Sequence, residues 1–333
     1  MQTLKKYHEE IKQKITQFFE ENQLITKPKD QKIYEYLKEY SLRGKLIRGS
    51  LILLVNETLT GKITQEAIIT ATSIEILHSS ILVIDDIIDK DDTRRGKPAM
   101  HITTKELIPQ SKDIEHDAKS IAECIGLIGT YSAYGLLAQT NLDVIKQISQ
   151  EFSKTGFAEL NEIILAQQSS VSEEDVMNIY KHKTAKYTIT LPIKLGYILS
   201  REEFTKELEQ ITDNIGIIFQ IKDDLLELES NEEYIGKSNT SDIKAGKEHY
   251  PRKQLEKTAN KEDLEEINKA YQTRTEKDVK LIQQMYAKYE IVKKTNKEIT
   301  KITQETLTLI EKQNPKIQPI LKTLLEYVQK RKY

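Results

Sequence analysis

One eleven-residue segment behind an apolar run is rich in aspartate and arginine. Its members are Asp85, Asp86, Asp89, Asp91, Asp92, Arg94 and Arg95. These two residue types can bind a phosphate together, aspartate through a metal ion and arginine directly. On a helix, Asp85, Asp89 and Asp92 would share one face, where their negative charges repel one another. Hard divalent cations such as Mg²⁺ prefer carboxylate oxygens, and arginine binds phosphate oxygens with two parallel donors. The segment therefore predicts a metal-bridged phosphate or diphosphate site.

The residues alone leave one other interpretation of this segment open and exclude another. A run of charges also fits a solvated helix end that binds nothing. A calcium-binding EF-hand loop beginning at Asp89 does not fit, because Arg94 stands at the sixth position, where that loop requires glycine.

A second acidic segment repeats the arrangement about 138 residues further along the chain. Asp223 and Glu227 are four positions apart behind an apolar run, with Asp224 between them, so carboxylates again line one helix face. The Gly236-Lys237-Ser238 sequence beyond it is not a P-loop, because Asn231 stands where that motif requires its first glycine.

Cationic residues before the first acidic segment form a candidate anion site. Gly44 is expected to open a helix on which Lys45 and Arg48 lie side by side, near the helix N-terminus, where an anion binds well. An ordinary charged helix start fits these two residues equally well. His78 lies seven residues before Asp85 and so would share the acidic face, although a structural hydrogen-bonded histidine is the alternative.

A Lys-Thr pair lies between the two acidic segments. Pro192, inside a helical pattern, predicts a kink near Thr188. Lys183 and Thr184, just before that kink, could present a cation and freed carbonyl groups to a ligand. The alternative is a solvated helix side.

Composition favours a helical protein from a reducing compartment. The 333 residues carry a net charge of −2 with 31% charged residues of mixed sign, which argues against a general nucleic-acid binder. Glycine and proline are few, which favours helices over sheets. The single cysteine, Cys124, excludes an intramolecular disulfide. The first residues lack a signal-peptide pattern and no apolar run approaches the roughly 20 residues of a membrane span, so we expect a soluble, cytoplasmic protein.

Apolar periodicity predicts a chain of long helices. We expect them over 4–19, 29–40, 65–88, 118–138, 144–167, 261–290, 293–313 and 316–331, with a loop and helix start over 103–117 and an N-cap at Ser172. Residues 118–138 are apolar on nearly all sides and rich in small residues, so this helix is expected to be buried and closely packed.

Together these residues resemble the head-to-tail trans-polyprenyl diphosphate synthases, which make farnesyl, geranylgeranyl and longer diphosphates. The likeness runs from about Gly44 to Lys247. Its most specific part is the first acidic segment with Arg94-Arg95-Gly96-x-Pro98, and Lys183-Thr184-Ala185-x-Tyr187-Thr188 is similar to archaeal members.

The resemblance implies a fold, an assembly and a reaction. The fold is an all-α isoprenoid synthase fold, a single domain over residues 1–333 with antiparallel helices around a deep central cavity, usually in a homodimer. The reaction condenses isopentenyl diphosphate with an allylic diphosphate (dimethylallyl, geranyl or farnesyl), with about three Mg²⁺ ions per site. No nucleic acid and no integral membrane segment are implied.

The resemblance also assigns roles to individual residues. It implies that Mg²⁺ is held by Asp85, Asp86, Asp89, Asp223, Asp224 and Glu227. It implies that the allylic diphosphate is bound by Arg94, Lys183 and Lys237, with Lys247 nearby. It implies that the diphosphate of isopentenyl diphosphate is bound by Lys45, Arg48, His78 and Arg95. Dipoles of Thr184 and Gln220 could face the allylic cation.

Product length is expected to depend on the helix wall below the first acidic segment. Ser80, with Leu77 one turn further back and Ile81 beside it, lies where one helical turn of about 5.4 Å matches one isoprene unit. Shorter-product members of the family carry an aromatic residue at the Ser80 position. The small residue here predicts a C20 to C30 product.

Six positions depart from the family pattern: Gly49 replaces proline, Leu127 and Glu162 replace aspartate, Ala158 replaces glycine, Glu159 replaces glutamine, and Glu227 replaces aspartate. These departures leave open a weakly active or non-catalytic subunit of a heteromeric synthase. A class I terpene cyclase fits less well, because the second acidic segment lacks its Asn/Asp, Ser/Thr and Glu triad. A helical scaffold with incidental acids is the remaining alternative.

Overall fold

The structure, a computed structural model, describes residues 2–21, 27–168, 170–229, 243–244 and 246–331. Its α-helices are α1 (Gln2–Glu21), α2 (Pro28–Leu42), α3 (Ile47–Thr60), α4 (Gln65–Ile88), α5 (Met100–Thr103), α6 (Ile114–Leu137), α7 (Leu142–Leu165), α8 (Glu173–Ile179), α9 (Leu191–Leu199), α10 (Lys206–Glu229), α11 (Tyr250–Thr258), α12 (Lys261–Thr273), α13 (Glu276–Lys288), α14 (Ile291–Ile310) and α15 (Gln318–Gln329). A 3₁₀-helix covers Thr104–Leu107 and a π-helix covers Tyr180–Thr190. Two short strands, β1 (Thr93–Arg94) and β2 (Lys97–Pro98), pair antiparallel. The predicted all-α class is confirmed.

The chain divides into two compact units. The first comprises residues 1–148 and 192–203, and the second comprises residues 149–191 and 204–333. The single domain over residues 1–333 stays a prediction.

Helix α4 is the central element of the first unit and packs against α3 and α6. Thr64 caps it by accepting the Ala67 N–H at 3.2 Å. Its hydroxyl side chains donate to carbonyl groups one turn back, as Ser80 Oγ does to the Ile76 oxygen at 2.9 Å. Because these polar groups are satisfied within the helix, α4 can be buried on several sides.

The same helix is long and apolar enough to cross a membrane by length and composition. It is the one such helix in the described part of the chain, with a mean hydropathy of 1.8 over its most apolar window. The expectation that no apolar run approaches a membrane span is therefore wrong for α4. Since 72% of that window is buried inside the protein, α4 has the burial of a core helix.

Helix α4 ends earlier than the aspartate spacing predicts. Asp89 is its C-cap, Lys90 adopts a left-handed conformation with φ 58°, and the Asp91 N–H bonds to the Asp86 carbonyl at 2.9 Å. This is the closing hydrogen bond of a Schellman motif. The predicted helical face of three aspartates is wrong, because Asp92 lies beyond the helix and only Asp85 and Asp89 stay four positions apart on it.

Helix α6 is not buried on all sides, which corrects a second expectation. Gly126 and Gly129 do lie against α4, and a Cβ on Gly129 would come within 2.3 Å of Ser80 Oγ. On other sides of the helix, however, Leu127 is 56% exposed and Tyr131 is 73% exposed. The small residues therefore provide close packing on one face, and an apolar face lies open to solvent.

The second unit packs around α10, which contacts the π-helix, α14 and α15. Gly216 permits a close approach to the π-helix, since a Cβ there would meet the Ala185 Cα at 2.3 Å. The π-helix occupies the place of the kink predicted near Thr188. Ser172 caps α8 in a capping box with Asp175, as its position predicts.

Two further sequence expectations are corrected by local structure. The helix expected over 261–290 is two helices, α12 and α13, because Arg274 between them is left-handed with φ 51°. The loop expected from residue 103 begins later, since α5 and the 3₁₀-helix extend to Leu107.

Candidate active site

Arg94 pairs with three of the acids in the first acidic segment. Arg94, on β1, lies with Nη2 2.8 Å from Asp85 Oδ2 and 3.7 Å from Asp91 Oδ2, and its Nε donates to Asp86. Burial opposes the charge on Arg94, but the carboxylates of Asp86 and Asp85 outweigh burial and raise its pKa. The turn after α4 thus folds the arginine back onto the acids.

Asp86 is fully buried and bonded on both carboxylate oxygens. The Tyr40 hydroxyl of α2 donates to Oδ2, and Arg94 donates to Oδ1. Burial first, and then the hydrogen bond to Asp86 and its negative charge, raise the pKa of Tyr40, so this tyrosine is a fixed donor. Asp85 is mostly buried and Asp89 is exposed.

No three side chains of Asp, Glu, His or Cys converge on a ready-made metal position anywhere in the described ranges. The donor chemistry of the first segment still suits a hard cation, because Asp85 and Asp89 offer carboxylate oxygens at a partly exposed helix end. A metal here would have to compete with Arg94 for the Asp85 carboxylate.

In the second acidic segment, Asp224 is buried in a chain of hydrogen bonds. The Tyr180 hydroxyl donates to Asp224 Oδ2, and Gln220 Nε2 donates to Oδ1 at 3.0 Å. Thr184 Oγ1 in turn donates to Gln220 Oε1 at 2.7 Å, and the Tyr250 N–H donates to the Tyr180 hydroxyl at 2.7 Å. The predicted residues Thr184, Gln220 and Asp224 are therefore one network.

Asp223, next to Asp224, pairs with Arg331, a residue that the sequence did not identify as part of the site. Arg331 Nη1 lies 2.8 Å from Asp223 Oδ1, and the guanidinium stacks on the Phe219 ring at 4.3 Å. No local spacing signals this pair, because the two residues are more than 100 positions apart. Arg331 follows α15, so the C-terminal end of the described chain lies beside Asp223.

Lys183 is held by the two acids that depart from the family pattern. Its Nζ lies 2.7 Å from Glu159 and also donates to Glu162, both on α7. Burial lowers the pKa of Lys183, but the carboxylates of Glu162 and Glu159 outweigh burial and raise it. The lysine is therefore charged and already paired.

Three of the four expected isopentenyl-site residues gather around one buried acid. Arg48 of α3 and Arg95 both act electrostatically on Glu75 and on His78 of α4. The Arg95 guanidinium also lies against Gly44, where a Cβ would approach Nη1 to 2.6 Å. Glu75 lies within the helix predicted over 65–88, and the sequence alone gives it no role.

Lys45 is not on the same helix as Arg48, which corrects the expected i, i+3 pair. Leu46 is left-handed with φ 47°, so α3 begins only at Ile47. Lys45 precedes the helix in the turn after Gly44. The structure therefore places Arg48 in the first turn of α3 and leaves Lys45 outside it.

His78 is buried and uncharged at neutral pH. Burial first, and then the positive charges of Arg48 and Arg95, lower the pKa of His78 well below its usual value. A neutral imidazole can donate or accept one hydrogen bond at each ring nitrogen but adds no charge.

The expected chain-length residues lie on α4. Ser80 and Leu77 are fully buried and Ile81 is half-buried. Ser80 contacts the α6 position of Gly129. Of the remaining predicted residues, Lys247 is half-buried, while Lys237 and the side chain of Glu227 lie outside the described residues.

Comparison with known proteins decides the family. A family model described as polyprenyl synthetase matches residues 30–289, which is more than half of the chain. The chain belongs to the polyprenyl synthetase family. The likeness inferred from the two acidic segments and the Lys-Thr pair is thereby confirmed, and the enzyme is a prenyltransferase.

Relatives of this synthase include bacterial and archaeal enzymes. It is 30% identical over 245 residues to the farnesyl diphosphate synthase of Bacillus subtilis, which covers 69% of this chain and 79% of that one. It is 30% identical over 216 residues to the geranylgeranyl diphosphate synthase of Saccharolobus solfataricus, covering 62% of this chain and 61% of that one. The two relatives are named for different products, so they do not set the product of this synthase.

The fold of the synthase matches a solved relative over nearly its whole length. The geranylgeranyl pyrophosphate synthase of Corynebacterium glutamicum, determined with isoprenyl diphosphate and magnesium, aligns with a TM-score of 0.86 at 23% identity, covering 98% of this chain and 99% of that one. This likeness confirms the predicted all-α isoprenoid synthase fold.

Proposed function

We propose that this prenyltransferase condenses isopentenyl diphosphate with a dimethylallyl, geranyl or farnesyl diphosphate to give a trans-polyprenyl diphosphate of C20 or somewhat longer. The observation that carries this proposal is the cluster of Arg48, Arg95 and His78 in a chain that also has two acidic segments. A cationic cluster suits the diphosphate of isopentenyl diphosphate, which stays in the product. Carboxylates that hold metal ions suit the allylic diphosphate, which is the leaving group.

Mg²⁺ is the proposed cofactor, at about three ions per site. The proposed ligands are Asp85, Asp86, Asp89, Asp223, Asp224 and Glu227. When bound, Mg²⁺ supplies positive charge that neutralises the departing diphosphate. Asp85 and Asp89 support this role, because they offer carboxylate oxygens at a partly exposed helix end. A metal would compete with Arg94 for Asp85 and with Arg331 for Asp223.

The chain's own residues bind and orient the allylic substrate in this proposal. Arg94, Lys183, Lys237 and Lys247 are proposed to hold its diphosphate. Thr184 and Gln220 present oxygen dipoles that can stabilise an allylic cation. No side chain is assigned as a general base, because the released diphosphate can accept the proton.

The isopentenyl diphosphate is proposed to bind through Lys45, Arg48, His78 and Arg95. The two guanidinium groups supply charge and paired donors to diphosphate oxygens. His78, which is neutral, contributes a hydrogen bond rather than a charge.

Product length is proposed to depend on Ser80, Leu77 and Ile81. Ser80→Phe should shorten the product by adding bulk to α4, and Ser80→Ala, which adds none, should keep the wild-type product distribution. Radiochromatography of the products measures both. Farnesyl diphosphate as the wild-type end point, or unchanged lengths in Ser80→Phe, would contradict the assignment.

A homodimer acting in the cytoplasm completes the proposal. Support for the dimer comes from apolar side chains that α6 and α7 expose in each unit, such as Tyr131 and Phe157. Exposed apolar patches on a folded protein mark surfaces that bind partners.

A second candidate is a weakly active or non-catalytic subunit of a heteromeric synthase. The pairing of Lys183 with Glu159 and Glu162 favours it, because a lysine that already has two carboxylates binds a diphosphate less readily. Purified protein alone would then give no condensation with any primer.

One assay tests both candidates. The purified chain is incubated with labelled isopentenyl diphosphate and each allylic primer, in Mg²⁺ or in a chelator. We expect Mg²⁺-dependent product, a loss of at least 100-fold in Asp85→Asn, and no such loss in Asp143→Asn, which removes an exposed acid at the start of α7. Metal-independent product, or full activity in Asp85→Asn, would contradict the proposal.

A further inference from the structure

Helix α3 begins without a cap from its own segment. Leu46, the N-cap residue, is left-handed and makes no side-chain capping bond. The first N–H groups of a helix have no acceptor within it. Glu75 of α4 accepts the N–H of Gly49, the third residue of α3, at 2.7 Å. The cap of α3 is therefore a carboxylate from the neighbouring helix, placed at the positive end of the helix dipole.

Glycine at position 49 is what permits this contact. A Cβ there would lie 2.8 Å from the Ala71 carbonyl oxygen, 2.9 Å from Ile11 Cδ1 and 3.2 Å from Glu75 Cγ. Proline, which the family pattern has at this position, would also lack the N–H. The Gly49 departure thus gives Glu75 a donor that proline cannot supply.

Glu75 also lies among the cations of the proposed isopentenyl site. It is 2% exposed, and a buried carboxylate without partners is strongly unfavourable. Burial raises its pKa, while the positive charges of Arg48 and Arg95 and the Gly49 N–H favour its charged form. Burial lowers the pKa of Arg95, the negative charge of Glu75 opposes that shift, and the positive charge of Arg48 adds to it. Glu75 bonds to the Gly49 N–H, next to Arg48 in the first turn of α3, so its negative charge lies where it can offset the repulsion between the two guanidinium groups.

We propose that Glu75 is a positioning residue that, anchored by the Gly49 N–H, holds Arg48 and Arg95 in the orientation that receives the isopentenyl diphosphate. Glu75 itself does not touch the substrate. The proposal rests on the proposed function, because it assigns this cluster to that substrate. Without the negative charge of Glu75, the Arg48 and Arg95 guanidinium groups repel each other and move apart. The two groups are then no longer held together when isopentenyl diphosphate binds.

Glu75→Gln tests this with little change of shape, since its amide oxygen can still accept the Gly49 N–H. We expect KM for isopentenyl diphosphate to rise about tenfold or more, with KM for the allylic diphosphate and the melting temperature close to wild type. Glu57→Gln, which removes a carboxylate of α3 that bonds to Lys6 and Tyr7, is the matched control. Equal rises in both KM values, or no rise in the isopentenyl KM, would overturn the proposal.

Two substitutions at Gly49 separate the hydrogen bond from the packing. Gly49→Ala and Gly49→Pro both add bulk, but only proline removes the N–H. We expect the isopentenyl KM to rise more in Gly49→Pro than in Gly49→Ala, after both are shown to fold by circular dichroism. Equal values in the two folded variants would count against the anchoring by Gly49.

Direct binding keeps this test separate from the test of function. Calorimetric titration of wild type and Glu75→Gln with isopentenyl diphosphate needs no turnover. If wild type fails to condense the substrates, the proposed function fails. Weaker binding to Glu75→Gln than to wild type would still support the role of Glu75, and equal binding would overturn it.

Discussion

Asp86 and Asp224, the second acid of each acidic segment, are held in the same way by different helices. Each is buried and accepts a tyrosine hydroxyl on one carboxylate oxygen, from Tyr40 in one case and Tyr180 in the other. The second oxygen of each has another donor. A buried carboxylate bonded on both oxygens has a fixed orientation. Each tyrosine therefore sets the direction of one acid in the proposed metal sites.

Tyr180→Phe should weaken both folding and metal binding, because Asp224 and the Tyr250 N–H each lose a hydrogen-bond partner. We expect the free energy of unfolding to fall by about 1–3 kcal/mol and the Mg²⁺ requirement for activity to rise. Urea denaturation and Mg²⁺ titration measure the two effects. Tyr131→Phe, at a largely exposed tyrosine, is the control, and an unchanged Mg²⁺ requirement in Tyr180→Phe would argue against the positioning role.

His78 should make folding sensitive to acid. Its pKa is lowered in the folded protein, so below the usual pKa of about 6.5 the unfolded chain binds a proton that the folded chain does not. The free energy of unfolding therefore falls as the pH drops through that value. His78→Gln should lose less stability than wild type between pH 7.5 and 5.5 in urea denaturation. His116→Gln, at an exposed histidine of α6, should behave as wild type.

At the scale of elements, periodicity predicts most helices but not where they end. Apolar spacing identifies α1 and α4, because both bury apolar residues at helical intervals. A residue in the left-handed conformation, which glycine usually adopts, ends or separates helices at Leu46, Lys90 and Arg274. Since none of the three is glycine, the sequence extends helices through them.

Contacts between elements are the part of the site that sequence spacing misses. The acids and cations of the two segments are recognisable because they lie close together in the chain. Arg331 on Asp223, and Glu75 on the Gly49 N–H, join residues that are far apart in sequence. A single sequence contains no pattern for such pairs, and only the packing of helices brings them together.

The α4–α6 contact should be sensitive to single methyl groups. Gly129→Ala would place a Cβ 2.3 Å from Ser80 Oγ, so we expect a loss of about 1–3 kcal/mol in stability. The double variant with Ser80→Gly lacks the opposing side chain. Its loss of stability should be smaller than the sum of the losses of the two single variants. Thermal or urea denaturation of the four proteins completes the cycle. Additive losses would show that the two positions do not oppose each other.

At the scale of the whole molecule, apolar faces on α6 and α7 lie open to solvent. The side chains are Leu127, Ile128 and Tyr131 on α6, and Leu142, Phe157, Leu160, Ile163 and Ile164 on α7. Large side chains at such positions are unfavourable in water. A second copy of the chain is the partner proposed for both faces.

Charge on either face should therefore separate the proposed dimer. Tyr131→Glu and Phe157→Glu, made singly, should each shift the mass in solution from dimer towards monomer. Sedimentation velocity measures this shift over a range of concentrations. Tyr131→Phe, which keeps the ring, should remain a dimer. A monomeric wild type would contradict the assembly.

An arginine already pairs with acids of each acidic segment, Arg94 with Asp85 and Asp86 and Arg331 with Asp223. The fold therefore does not depend on metal ions to hold these acids together. We expect a chelator to stop turnover while thermal unfolding stays cooperative, with a melting temperature within about 5 °C of that in Mg²⁺. An unfolded circular-dichroism spectrum in chelator would contradict this. Such an apoprotein could be purified and stored in metal-free buffer, and switched on by adding a single salt.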